Sequence, residues 1–269
     1  MHAFQYERPT LINEATKLLA AGGQALAGGQ TLLASMKVRL MSPETLVDLN
    51  EVKELHGIEH VGDTIVIGAM SKHQSVENNA DVKKFIPALS ELASGIGDRQ
   101  IRAIGTIGGS VANNDPAACY PSACLALGAT IQTNKRKINA QDYFLGMYAT
   151  ALEPGELITS VSFPIPKRAA YAKFKQPASR FALVGVFVAQ TDHGVHVAVT
   201  GAGNGVFRHK GLEEALNKSF TAEALEGIQI DKSDLNEDIH ASAAYRANLI
   251  KVQTQVAVRH AIARAGVLD

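Results

Sequence analysis

The segments Ala27-Gly28-Gly29-Gln30-Thr31 and Thr106-Ile107-Gly108-Gly109-Ser110 carry two glycine doublets, each beside a Thr or Ser and each flanked by apolar, strand-like residues. Paired glycines let successive backbone N–H groups converge on an anion with no Cβ in the way, and Thr31, Thr106 and Ser110 add hydroxyl donors. Two such cradles from separate units can clasp one diphosphate through amide dipoles. Two ordinary turns are the other reading of the same residues.

Outward from the first doublet, Thr10 opens an apolar pattern at Leu11, Ala15, Leu18 and Leu19 that predicts a helix ending at Gly22-Gly23. A short apolar stretch, Ala25-Leu26-Ala27, leads into the doublet; Leu32 to Leu40 follows it, and Thr45 to Leu49 is strand-like. From Ile58 the pattern becomes strand, Gly62-Asp63 turn, strand to Gly68, a hairpin of the glycine-first type. A helix is expected over Val82 to Ser94, ahead of the second doublet. Beyond it, a strand pair turns at Asn134-Lys135-Arg136, Leu157 to Phe163 reads as a closing strand, and Pro164-Ile165-Pro166-Lys167-Arg168 reads as a linker. Strands follow at Tyr171 to Phe174, Leu183 to Ala189 and Val195 to Thr200, and helices close the chain. In the last helix, Tyr245, Leu249, Val252 and Val256 are expected to form one buried stripe. The expected division is 1–54 and 55–166, together one domain, then 167–269.

Composition narrows the function. The chain has 269 residues, 46% hydrophobic and 19% charged, the mix of a folded protein. Lys plus Arg and Asp plus Glu each number 26, so no net field collects nucleic acid or an anionic membrane. The longest apolar run, Phe181 to Ala189, is nine residues, where a bilayer span needs roughly 20. The first residues read as neither a basic nor an apolar signal segment, so a cytoplasmic location is expected. Cys119 and Cys124 are the only cysteines, and an iron–sulfur cluster or thiolate zinc site needs about four ligands. The chain is therefore expected to hold no metal, and both thiols to be free and buried.

Catalytic constellations are missing. There is no Gly-x-Ser-x-Gly, no His-Glu-x-x-His and no Walker loop. His56 and His60 stand four apart, but in a stretch of loop and strand. Gly201-Ala202-Gly203-Asn204-Gly205 lacks the glycine that a dinucleotide fingerprint needs where Val206 stands, and reads as a tight turn. Asp115 beside Pro116 caps a turn or accepts hydrogen bonds from a ligand hydroxyl. Chemistry done by a held cofactor fits this inventory.

Taken together, Phe4-x-Tyr6-x-Arg8-Pro9, Ala27 to Thr31, Met36-Lys37-x-Arg39-Leu40, Arg102-x-x-Gly105-Thr106-Ile107-Gly108-Gly109-Ser110, Asn114-Asp115-Pro116 and Tyr245-Arg246 resemble the FAD-binding medium subunit of molybdenum hydroxylases, the group of carbon monoxide and xanthine dehydrogenase flavoproteins. The resemblance runs essentially end to end. It implies an α+β chain: a two-subdomain FAD-binding fold of the vanillyl-alcohol oxidase (PCMH) type, then a C-terminal domain of antiparallel sheet plus helices. FAD contacts are implied at Ala27, Gly28, Gly29, Gln30 and Thr31, at Thr106, Ile107, Gly108, Gly109 and Ser110, and at Ile158 and Lys175. Phe181 and Ile96 are implied near the isoalloxazine ring. Many relatives have Asn at Ser110 and Asp at Cys119. A thiol cannot replace a carboxylate as acceptor, so Asp115 is the expected substitute for Cys119.

The resemblance further implies an electron-transfer flavoprotein subunit. A large partner would carry a molybdopterin cofactor, a small partner two [2Fe-2S] clusters, and the whole would assemble as a dimer of heterotrimers. A self-contained FAD-dependent oxidoreductase of the same fold is the alternative, and a FAD-free assembly partner a third.

Overall fold

The structure, a computed structural model, describes residues 1–265; the last four residues of the expected C-terminal domain lie outside the described residues. Strand β1 (Gln5–Glu7) and the predicted helix α1 (Ile12–Ala20) open the chain. Gly22, at φ +97°, takes a left-handed conformation that ends the helix run. Strand β2 (Gln24–Leu26) follows, then α2 (Leu32–Lys37) and β3 (Thr45–Asp48), and the three strands form a parallel sheet in the order β1-β3-β2. Ala15, Val47, Leu49 and Leu55 bury together beneath it.

The predicted hairpin is β4 (Ile58–Val61) and β5 (Thr64–Gly68), with positive φ at Gly62 but not at Asp63. Helices α3 (His73–Asn78), α4 (Ala80–Phe85), α5 (Pro87–Ser94), α6 (Arg99–Ile104), α7 (Ile107–Asn113) and α8 (Tyr120–Leu127) come next. The single helix expected over Val82 to Ser94 is two. Pro87 has no N–H to continue the first and restricts Ile86 before it, so it starts the second. The second glycine doublet is not strand-flanked as expected. It lies in the first turn of α7, whose cap is Thr106, its Oγ1 accepting from the Gly109 N–H at 3.2 Å.

Strands β6 (Thr130–Thr133) and β7 (Lys137–Asn139), helix α9 (Ala140–Tyr143), the small hairpin β8 (Phe144–Gly146) with β9 (Ala149–Thr150), and β10 (Ile158–Pro164) complete this part. Its antiparallel sheet runs β4-β5-β10-β6-β7. Beyond Ile165 to Lys167, a second antiparallel sheet, β11-β12-β13-β14, is built from β11 (Arg168–Lys175), β12 (Ala182–Thr191), β13 (Gly194–Thr200) and β14 (Phe207–Arg208). Helices α10 (Lys210–Lys218) and α11 (Ala243–Ala265) follow.

This sheet is buried on both faces, which explains the uninterrupted apolar run on β12. Val184, Val186 and Val188 pack beneath α10 and α11, whereas Phe187 and Ala189 join the core of the preceding part. The expected stripe on α11 is displaced: Tyr245 and Val252 are exposed, and the buried line runs through Arg246, Ile250, Thr254, Ala257 and Ala261. Arg246 earns its burial by donating to the carbonyls of Leu183 and Gly201, each at 2.9 Å, and to Asp238. Gly201 itself is the expected tight turn, at φ +81°, with its N–H on the Pro116 carbonyl at 2.7 Å.

Candidate functional site

A cleft of about 580 Å³ runs between the two glycine segments and on to the edge of the C-terminal sheet, within the usual ~300–1,000 Å³ of ligand sites. At one end the loop Ala27 to Thr31 leaves β2 and enters α2. A Cβ on Gly28 would stand 2.5 Å from the Ile104 carbonyl oxygen and 2.7 Å from the Gly105 Cα, so the glycine lets the two segments touch through backbone. Gly29 holds φ +65°. Among the described residues, the N–H groups of Gly28, Gly29, Gln30 and Thr31 meet no protein acceptor.

The second segment differs. The N–H groups of Ile107 and Gly108 go to the carbonyls of Ser71 and Ala69, and that of Gly109 to its cap. A Cβ on Gly108 would lie 2.6 Å from the Ala69 Cβ, so this glycine serves close packing of α7 on the sheet. What α7 offers the cleft is the bare backbone of Gly109, facing Ala27 of the other segment, and Ser110. The equal amide cradles expected from sequence are thus one donor loop and one facing helix end.

Of the expected residues, Ala27, Gly28, Gly29, Gln30, Thr31, Ile96, Thr106, Gly108, Gly109, Ser110, Asp115, Cys119, Ile158 and Phe181 all line the cleft. Ile107 and Lys175 do not. Ile107 is fully buried in the core, and Lys175 sits exposed at the end of β11, past an irregularity in its pairing with β12. The lysine in the cleft wall is Lys173, whose Nζ donates to the carbonyls of Gly95 (2.7 Å) and Arg180 (3.1 Å).

Asp115 caps its turn, accepting from the Ala117 N–H at 2.8 Å, and also accepts from the Tyr148 hydroxyl at 3.2 Å while lining the cleft. Glu156, another lining residue, bonds Arg136 at 3.0 Å, and that bond holds its pKa down to about 2 against the opposing effect of burial. It is ionised but already neutralised.

His73, Lys173 and Arg180 also line the cleft, and no sequence motif marks them. His73 enters because its N–H bonds the Gly105 carbonyl at 2.9 Å, a long-range pairing that no local pattern signals. Burial, with the nearby Arg102, lowers its pKa to about 4, so a neutral imidazole faces the glycine end. His56 and His60 take other partners, the Asn50 carbonyl and the Phe85 ring. No group of metal-ligating side chains occurs among the described residues.

The arrangement suits a long, flat, anionic ligand. Unpaired amides and hydroxyls stand at the glycine end, and Ile96, Ile158 and Phe181 offer apolar surface elsewhere along the cleft.

The family described as FAD binding domain in molybdopterin dehydrogenase matches residues 2–166. The chain is 34% identical to the carbon monoxide dehydrogenase medium chain of Afipia carboxidovorans, with 98% of each chain covered. It is also 34% identical to the nicotine 6-hydroxylase medium subunit of Paenarthrobacter nicotinovorans, again over 98% of each. A chain in the crystal structure of a Cu,Mo-CO dehydrogenase superposes with a TM-score of 0.90 at 31% identity, covering 98% of this chain and 99% of the other.

Proposed function

Because the chain belongs to the family of FAD-binding subunits of molybdopterin dehydrogenases, we propose that it is the electron-transfer subunit of a molybdenum hydroxylase, taking electrons from a [2Fe-2S] partner and passing them to an external acceptor. It is an oxidoreductase subunit with FAD as its cofactor, and the relatives are parts of multi-subunit enzymes. The assignment of residues 1–166 to FAD binding and 167–269 to a C-terminal flavoprotein domain is part of the proposal. So are a dimer of heterotrimers with a large molybdopterin and a small iron–sulfur subunit, and a cytoplasmic location. No described helix is long and apolar enough to cross a membrane.

The observation that carries the reading is the contact of Gly28 with Gly105 beside four unpaired N–H groups. The Gly28 to Thr31 amides and the Thr31 and Ser110 hydroxyls would hold the diphosphate, as oriented dipoles that add no formal charge. Asp115 would accept sugar or ribityl hydroxyls, and Ile96, Ile158 and Phe181 would exclude water from the ring. Lys173 replaces Lys175 as the cleft lysine. When bound, FAD supplies both one- and two-electron transfer, which suits a link between iron–sulfur clusters and a two-electron acceptor.

The test is anaerobic mixing of the flavin-loaded chain with aldehydes, purines and carbon monoxide, alone and then with the co-purified partner subunits. Flavin bleaching only with the partners is expected. Bleaching by a substrate with the chain alone would instead establish a self-contained flavoenzyme.

A further inference from the structure

The Cys119 thiol sits just ahead of α8, 5% exposed, in the wall of the cleft. Two side chains from β11 reach it. Tyr171 and Lys173 are two apart on a strand and so project from one face. The Lys173 Nζ lies 3.4 Å from the Cys119 Sγ, at hydrogen-bond distance for sulfur. The Tyr171 hydroxyl lies against the same thiol yet completes no hydrogen bond there or elsewhere. Burial raises its pKa well above the ordinary phenol value, so it remains a protonated donor lacking an acceptor. Tyr171 is 8% exposed, and an unmatched hydroxyl at that depth is costly. An oxygen atom added to Sγ would give it the acceptor it lacks.

We infer that Cys119 and Lys173 are a modification site, forming a covalent lysine–cysteine cross-link when a hydroperoxide reaches the cleft. The cross-link would tie the segment before α8 to β11, fastening the first part of the chain to the C-terminal sheet across the cleft. In the first step the thiol is oxidised: the peroxide O–O bond breaks, S–OH forms and one water leaves. The Lys173 amine, its extra proton given to solvent, then attacks sulfur. An S–N bond forms, the S–O bond breaks, and the hydroxyl leaves as a second water. If a second peroxide is consumed, one oxygen is retained as S–O–N and three waters leave in all. Lys173 is held for this step by the Gly95 and Arg180 carbonyls. Cys124 is fully buried and provides an internal control.

The experiment treats the full chain with hydrogen peroxide, alkylates remaining thiols after denaturation, digests with trypsin and analyses the peptides by mass spectrometry. The expected product joins the Cys119 peptide to one left uncut at Lys173. It lacks two hydrogens for S–N, or lacks two hydrogens and carries one extra oxygen for S–O–N. Dithiothreitol should release it, and Cys124 should be recovered alkylated. Lys173→Arg keeps the cation and should abolish the product, as should Cys119→Ala. Cys119 recovered wholly as alkylated thiol, or as sulfinic or sulfonic acid without cross-link, would overturn the inference; so would the same product surviving in Lys173→Arg.

Discussion

Gly28 and Gly105 meet so closely that the Cα of one stands 2.7 Å from where a side chain on the other would begin. A methyl group at position 28 must therefore push apart the loop after β2 and the residue that precedes Thr106. Gly28→Ala is expected to cost about 1–3 kcal/mol of stability as an overpacked contact and to weaken FAD binding by tenfold or more. Chemical denaturation and flavin titration of the same variant measure both; a variant as stable and as flavin-rich as the parent would refute the contact's importance.

Gly109 presents a different case. A Cβ there would stand 2.9 Å from the Thr106 Oγ1 and 3.5 Å from the Ala27 Cβ, between the cap and the opposite loop. Gly109→Val should empty the chain of flavin while circular dichroism stays close to that of the parent. Retention of the parent's flavin absorbance would place the diphosphate elsewhere.

Asp115 and Cys119 both face the cleft, but only Asp115 offers a carboxylate. Asp115→Ala should lose on the order of 1.5–3 kcal/mol of FAD affinity, and Cys119→Ala should stay within a few-fold of the parent. Calorimetric titration of the apo variants gives the order, and Cys119→Ala as the weaker binder would contradict it.

These positions show how much the sequence made legible. The Gly28-Gly29 loop, α1 and the Gly62 hairpin depend on local conformation, and they are legible residue by residue. Helix α7 is not, because Gly108 is held by packing on Ala69, a residue some forty positions away just past β5. The buried line of α11 is not legible locally because it includes Arg246, a charge satisfied by the distant carbonyls of Leu183 and Gly201 and by Asp238. Nothing local marks the irregular pairing that follows Phe174, past which Lys175 lies outside the cleft and Lys173 within it.

Glu156 predicts a stability change in acid. Its Arg136 bond lowers its pKa from 4.5 to about 2, so the stabilisation is complete above pH 4.5 and is lost as pH falls toward 2. Glu156→Gln should cost up to about 3 kcal/mol at pH 7, with the gap to the parent closing between pH 4.5 and 2. A gap that does not vary with pH would deny the ion pair its role.

His73 acts in a higher window. Its imidazole is protonated near pH 6.5 in the unfolded chain and near 4 in the folded one, so the stabilisation is complete above pH 6.5 and is lost as pH falls toward 4. In urea titrations at pH 7, 5.5 and 4.5, His73→Gln should lose stability less steeply than the parent as pH falls. Equal slopes would mean that the folded state holds His73 charged.

The most direct test of the central claim is equilibrium titration of the purified, flavin-free chain with FAD, followed by flavin fluorescence and absorbance, beside Gly109→Val. Saturation at one FAD per chain, lost in the variant, is the predicted result. A chain that binds no FAD, or a variant that binds it as well as the parent, would contradict the assignment of the cleft.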